Sequence, residues 1–219
     1  MSGRNAGTPV NRGSLGLVLP ALKSLIFFER SGSSAGRDGV RRLVDGLSAG
    51  ALPASSTLAF LNMYVGDAGA SSIASALGRG AMPRLKGLVL NNARITDAGL
   101  AALTPVLQQR HEKLEVLLLN HNPLGDEGLA VLLRGVLTKL IVLDLKKTQV
   151  TDAGCAILAA ALDSGKLPAL ENYFLDGVPA SDAAKAAVNQ ALAKSRARAT
   201  HRAAARLEAQ SQLARDIPL

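Results

Sequence analysis

Groups able to do acid–base, nucleophilic or metal chemistry are few in this chain, and they stand far apart. His111, His121 and His201 are the three histidines, and Cys155 is the single cysteine. None of them has a His or Cys partner at metal-ligand spacing, so the pattern does not describe a zinc site. The string GSSAG at 32–36 matches a G-x-S-x-G elbow in letters, but nothing supplies the strand-to-helix turn and His partner that the elbow requires. No Gly-rich loop runs into Lys-Ser or Lys-Thr, so there is no Walker-type phosphate cradle. Cys155 falls in an apolar helical pattern and reads as a small core residue rather than a nucleophile. The chain is expected not to be an enzyme, with no catalytic residue, cofactor or metal.

What does recur is a step of Asp-x-Gly: Asp67 and Gly69, Asp97 and Gly99, Asp126 and Gly128, Asp152 and Gly154. Counting back fourteen residues from each Gly gives unit starts at Ser55, Leu85, Leu114 and Leu140. A degenerate unit starts at Leu170, where Ala184 stands at the Gly position after Asp182. An opening unit fits Leu22, Leu25, Phe27 and Gly39 with a longer loop. From Ser55 onward the starts lie 30, 29, 26 and 30 residues apart. A period of that size signals a solenoid, in which each unit buries its apolar face against its neighbours.

Each unit reads LxxLxLxx[N]x[L/I/V]xxxG and then an apolar helical pattern. The clearest copies are Leu114, Leu117, Leu119, Asn122, Leu124, Gly128 and Leu85, Leu88, Leu90, Ile95, Gly99. Period-two apolar positions predict a short strand with one face inward. Each Asp is placed to cap the helix it opens, and Thr96 and Thr151 strengthen that start. The inward helical positions are Leu100, Leu103, Leu107, then Leu129, Leu132, Val136, then Cys155, Leu158, Leu162. A Gly in a first helical turn costs about 0.5–1 kcal/mol relative to Ala, so its recurrence points to close packing between units.

This pattern, with NHNPLGDEGL at 120–129, resembles the leucine-rich repeats of the ribonuclease-inhibitor type over roughly residues 22–184. The resemblance implies an α/β leucine-rich-repeat solenoid of about five to six repeats. It would be a curved horseshoe arc, with parallel strands on the concave face, helices on the convex face and a C-terminal helix. The family's ladder Asn, which serves backbone groups in the turn after the strand, occurs only as Asn122. Met63, Ala93, Thr148 and Val178 stand at that position in the other units.

Three regions follow: a disordered N-terminal segment at 1–14, the solenoid at 15–184, and a basic Ala-rich helix at 182–215. Asp182 would cap that helix, and Ala184, Ala187, Val188, Ala191 and Leu192 would close the last repeat. With 219 residues, 48% hydrophobic, the chain can build a sizeable core, and with 3% aromatics it must do so from aliphatic side chains. A net charge of +8 favours acidic partners. The lone cysteine fits a reducing compartment, and the lack of a long apolar run argues against a transmembrane helix. The expected location is cytoplasmic, with nucleus, cilium or organelle left open, the last through Arg4 and Arg12.

Outward positions of the strands name a candidate partner-binding surface: Ile26, Phe28, Leu61, Val89, Val116 and Leu118, with Phe174. Lys194, Arg196, Arg198, Arg202 and Arg206 form a second candidate, a contact for an acidic partner, including nucleic acid. A merely solvated helix face or attachment to a membrane surface are the other readings of that run. No aromatic interleaves with these cations, so stacking on single-stranded bases is not supported. The function expected is a non-catalytic protein-interaction scaffold, working as a subunit of a larger assembly. The alternative is regulation of a small GTPase, because the repeats resemble those of the GTPase-activating protein of Ran. That family's tail is acidic, whereas this chain ends basic.

Overall fold

Alternating large apolar residues make strands, and the described residues form six: β1 (Ser24–Phe28), β2 (Thr57–Leu61), β3 (Gly87–Asn91), β4 (Val116–Leu118), β5 (Val142–Asp144) and β6 (Asn172–Phe174). The structure, a computed structural model, describes residues 21–28, 39–40, 42, 44, 47, 49–109 and 113–215, with side chains through 201. The segment 1–14, His111 and the GSSAG string lie outside those residues. All six strands are parallel and stand side by side in chain order. Their register aligns the units, with Leu58 beside Leu88, Leu117 and Leu143, so one side-chain column enters the core from every strand.

Helices follow the strands: α1 (Gly66–Gly78), α2 (Asp97–Gln109), α3 (Asp126–Leu132), α4 (Asp152–Asp163) and α5 (Asp182–Arg215). They cover one face of the sheet and leave the other open, giving an α/β solenoid closed by a C-terminal helix. Between the layers Leu88, Leu90, Leu117, Leu119 and Leu143 meet Ile73, Leu100, Leu103, Leu129 and Leu158, and all are fully buried. Each such side chain contributes about 1.5–3 kcal/mol by leaving water. One inward assignment needs correction. The 26-residue unit has room for a helix of only seven residues, so α3 ends at Leu132. Val136 is then 52% exposed, and Leu133 and Leu137 fill the core.

The turn after each strand from β2 to β6 passes through the left-handed region at the same place: Asn62 (φ 54°), Asn92 (51°), His121 (57°), Lys147 (52°) and Gly177 (71°). This conformation costs an ordinary L-residue about 1–2 kcal/mol. It lets the ladder run past the strands, with His121 N–H donating to Lys146 O at 2.8 Å and Lys147 N–H to Asp176 O at 2.9 Å. Buried Asn122 serves backbone of two units at once. Its Oδ1 accepts from Ala93 N–H and Ile95 N–H, both at 3.0 Å, and its Nδ2 donates to Leu90 O at 2.6 Å and Leu119 O at 2.8 Å. Ala93 is tolerated because the next unit's Asn122 supplies the bonds, while Thr148 serves its own unit by donating to Leu145 O at 2.7 Å.

The Asp residues sit in the first helical turns as expected, but their carboxylates do not cap their own helices. Each turns to the following unit. Asp67 accepts from Thr96 N–H (2.8 Å) and Oγ1–H (2.7 Å), Asp97 from Gly125 N–H (2.6 Å), Asp126 from Thr151 N–H (2.8 Å) and Oγ1–H (2.5 Å), and Asp152 from Ser181 N–H (2.6 Å) and Oγ–H (2.9 Å). The hydroxyls are the helix caps: Thr96, Thr151 and Ser181 accept from the amides of Ala98, Ala153 and Ala184, each at 3.2 Å.

The recurring Gly makes room for this tie. A Cβ at Gly128 would lie 2.5 Å from Asp97 Oδ1 and 3.0 Å from Asp97 Cα; at Gly154 it would strike the Asp126 carboxylate and Val150. The close packing read from the Gly pattern is therefore packing on the preceding Asp. Asp182 has no later unit to reach, and its carboxylate stands 3.8 Å from Lys185 of its own helix.

Asn122→Ala strands several buried backbone groups and should lower the unfolding free energy by about 3 kcal/mol, read as a lower urea midpoint at unchanged slope. Gly154→Ala should cost about 1–3 kcal/mol by overpacking. That cost should shrink in an Asp126→Ala background, and equal costs in the two backgrounds would show that the carboxylate is not the obstacle. The backbone and then the hydroxyl bond from Ser181 hold the Asp152 carboxyl below the usual range, with desolvation opposing them and Lys185 adding to them. Its contribution to stability is thus present above the carboxyl's unfolded pKa and disappears as pH falls through the lower folded value. The stability gap between wild type and Asp152→Asn should accordingly close across that acid window and stay constant from pH 6 to 8.

Candidate interaction face

Side chains that alternate away from the core line the open face of the sheet. The central row runs Ile26, Ala59, Val89, Leu118, Asp144, Phe174, one from each strand in register. Ile26 and Phe28 are the most exposed large apolar residues, at 55% and 71%. Leu61, Val89, Val116 and Leu118 are half-buried and continue the surface as far as β4. Strand spacing of about 4.8 Å makes this patch roughly 14 Å wide across β1–β4. Ala59 is buried, because its small side chain lies below its larger neighbours Ile26 and Val89. Gly87, between Thr57 and Val116, leaves a dip. Val142 adjoins Val116 and extends the apolar flank. The sequence reading left it out of the site although its register was legible. Beneath the patch Phe27 and Phe60 stack, with centroids 5.0 Å apart and planes at 18°, and hold β1 to the solenoid.

The row changes character at Asp144, which is buried and accepts from Asn120 Nδ2 at 2.8 Å and from Lys146 N–H at 3.0 Å. Phe174 lies beyond this carboxylate, so it does not join the apolar patch with which the sequence grouped it. The Lys146 ammonium sits over its ring at 4.5 Å and pairs with Asp176 at 3.1 Å. The face therefore has an apolar half on β1–β4 and a mixed-charge half on β5–β6.

Helix α5 packs on α4 and leaves this face uncovered. Val188, Ala191, Leu192 and Ser195 close the last repeat. Ala187, expected among them, is exposed. Tyr173 Oη donates to Asn189 Oδ1 at 2.7 Å and ties β6 to the helix.

The basic run divides. Lys194 is exposed, whereas Arg196 donates to Glu171 O, and Arg198 donates to Asp163 O at 2.6 Å and Leu162 O at 3.3 Å. Arg198 also pairs with the Asp163 carboxylate at 3.3 Å. Those guanidiniums satisfy carbonyls of the last repeat, including the open end of α4, so two of the candidate acidic-partner contacts are bound up in the fold. The side chains of Arg202 and Arg206 lie outside the described residues.

Reactive groups do not converge. His121 Nδ1 lies 3.1 Å from Asn120 Oδ1 at the loop edge, and His201 is exposed. Cys155 is buried, and that burial pushes its thiol up. Among the described residues no group of His, Cys, Asp and Glu is placed to hold a metal ion, and no helix is long and apolar enough to cross a membrane.

A profile of the Leucine Rich repeat family matches residues 110–133, the stretch that holds β4, Asn122 and Gly128. That stretch is similar to a leucine-rich repeat, and a strand followed by a helix recurs along the array on either side of it. No curated protein matches it. Among solved structures, the tropomodulin C-terminal domain of Caenorhabditis elegans is similar over 85% of this chain and 91% of its own, at 14% identity and a TM-score of 0.49. A likeness that remote carries no argument about what these repeats bind.

Proposed function

We propose that this leucine-rich-repeat chain is a non-catalytic scaffold that binds another protein through the open strand face, as a subunit of a larger assembly. The observation that carries the reading is the continuous apolar surface from Ile26 and Phe28 to Leu118, which no element among the described residues covers. Surfaces of this kind on a soluble protein mark interfaces, where a few desolvated side chains carry most of the binding energy. Phe28 and Ile26 are the anchors, and Leu61, Val89, Val116 and Leu118 form the floor around them. The mixed-charge half at Asp144, Lys146, Asp176 and Phe174 sets register and discriminates between partners.

The repeats are of the ribonuclease-inhibitor type, a reading supported by units of 26–30 residues that each pair a strand with an α-helix. Lys194, with Arg202 and Arg206, gives α5 a secondary contact for acidic groups on the same partner.

The test is capture from the native cell with wild type, Ile26→Ser/Phe28→Ser and Leu118→Asp side by side. The substituted side chains of the first variant are exposed, so its circular dichroism and melting temperature should match wild type. Partners held by wild type should bind at least tenfold more weakly to the variants. Unchanged binding by the folded variants would overturn the reading. Addition of the protein should leave GTP hydrolysis by small GTPases unchanged, and acceleration would move the function to GTPase regulation.

A further inference from the structure

The turns at the loop edge of the sheet carry a pattern of their own. Where the chain enters the left-handed region, Asn62, Asn92 and Gly177 are residue types that adopt it readily. The two units between Asn92 and Gly177 instead place His121 and Lys147 there, and Arg94 takes the same conformation at φ 58°. Arg94 and Lys147 are not types that favour this backbone state, and with His121 between them they point to a role outside folding.

Arg94, His121 and Lys147, with Asn92 and Gln149, line one shallow depression of about 280 Å³ that spans three consecutive repeats. No carboxylate lines it. Three nearby acids are engaged elsewhere: Asp97 on Gly125 N–H, Asp144 on Asn120 and Lys146 N–H, Asp176 on Lys146. Among the described residues Arg94 and Lys147 have no ion-pair partner, in contrast to Lys86, Lys146, Lys185 and Arg198. Asn120 Nδ2 donates to Asp144, so Asn120 Oδ1 accepts from His121 Nδ1–H, which fixes the ring at the rim.

We propose that this rim is a binding site for a phosphate monoester carried on a peptide of a protein partner. A guanidinium fork engages two oxygens of a tetrahedral oxyanion, and an ammonium supplies a second fixed positive charge, which together balance a phosphate dianion. A single carboxylate would satisfy the fork and leave Lys147 without a counter-charge. The depression is open, whereas sites for free small molecules enclose most of the ligand, so the group arrives presented by a larger surface. The net charge of +8 adds long-range attraction. The proposal does not depend on the strand-face reading, because the two surfaces share no residue.

The test uses the full chain, labelled with nitrogen-15, at fixed ionic strength. A capped tripeptide with a central phosphoserine is titrated beside its serine and glutamate counterparts and beside inorganic phosphate. The expected result is saturable amide shifts clustered at Asn92, Arg94, His121 and Lys147 with the phosphoserine peptide, and at least tenfold weaker binding of the other three. Arg94→Gln/Lys147→Gln should abolish the response, and the control Arg134→Gln should keep it. Lys147→Gly is the second variant, since Gly suits that backbone conformation: it should be at least as stable as wild type and bind the phosphopeptide at least fivefold more weakly. Shifts that do not saturate, that scatter over other basic residues, or that survive in the folded variants would overturn the site. Inorganic phosphate binding as tightly as the phosphopeptide would overturn the peptide as its source.

Discussion

The rest of the structure depends on a carboxylate that reaches forward. In each central repeat one Asp does not cap its own helix but bonds the next repeat's backbone and, where present, its hydroxyl. Repeats in a solenoid touch only their neighbours, so whatever fixes one unit against the next fixes the whole array. Apolar packing alone supplies cohesion but tolerates sliding. A charge-assisted bond to a single amide does not, because a shift of one residue would leave the acceptor without its donor. The Gly behind it completes the constraint by letting two backbones approach to where a Cβ would collide.

That fixed stagger makes the strand face a surface rather than a set of separate side chains. Because every strand sits in register, outward residues of successive units line up, and their differences become a gradient along the array. The gradient runs from bare hydrocarbon at Ile26 and Phe28 to ion-paired Lys146 and Asp176. The turn positions form a second row parallel to the first, where Asn gives way to His121 and Lys147 and returns to Gly177.

Much of this was legible in the sequence, for a physical reason. Side chains of a strand alternate with a period of two, and the Gly spacing fixes where each unit begins, so the core column and the outward rows could be written down from residue order. What was not legible concerns partners distant in sequence. An Asp ahead of a helix looks the same whether it caps that helix or ties to the next, because both need an acceptor at one place. The burial of Ala59, the exit of Val136 from the core and the isolation of Phe174 by Asp144 depend on neighbours about 30 residues away. Arg196 and Arg198 read as part of a charge run because their acceptors are main-chain carbonyls, which no composition records. The turn conformation showed only where Asn or Gly announced it, and His121 and Lys147 conceal it.

In earlier units the carbonyl one place after each start accepts two amides from the following repeat, as Lys86 O does from Glu115 and Val116 and Ile141 O does from Glu171 and Asn172. After Glu171 the chain runs into α5 rather than another repeat, and the Arg196 guanidinium donates to Glu171 O in place of those amides. An unpaired parallel strand is a template on which other chains can grow, and an array whose joints all face the same way could extend from molecule to molecule into a filament. Arg196 takes the carbonyl on which a further repeat's amides would dock, so that acceptor at the last edge of the sheet is not left bare.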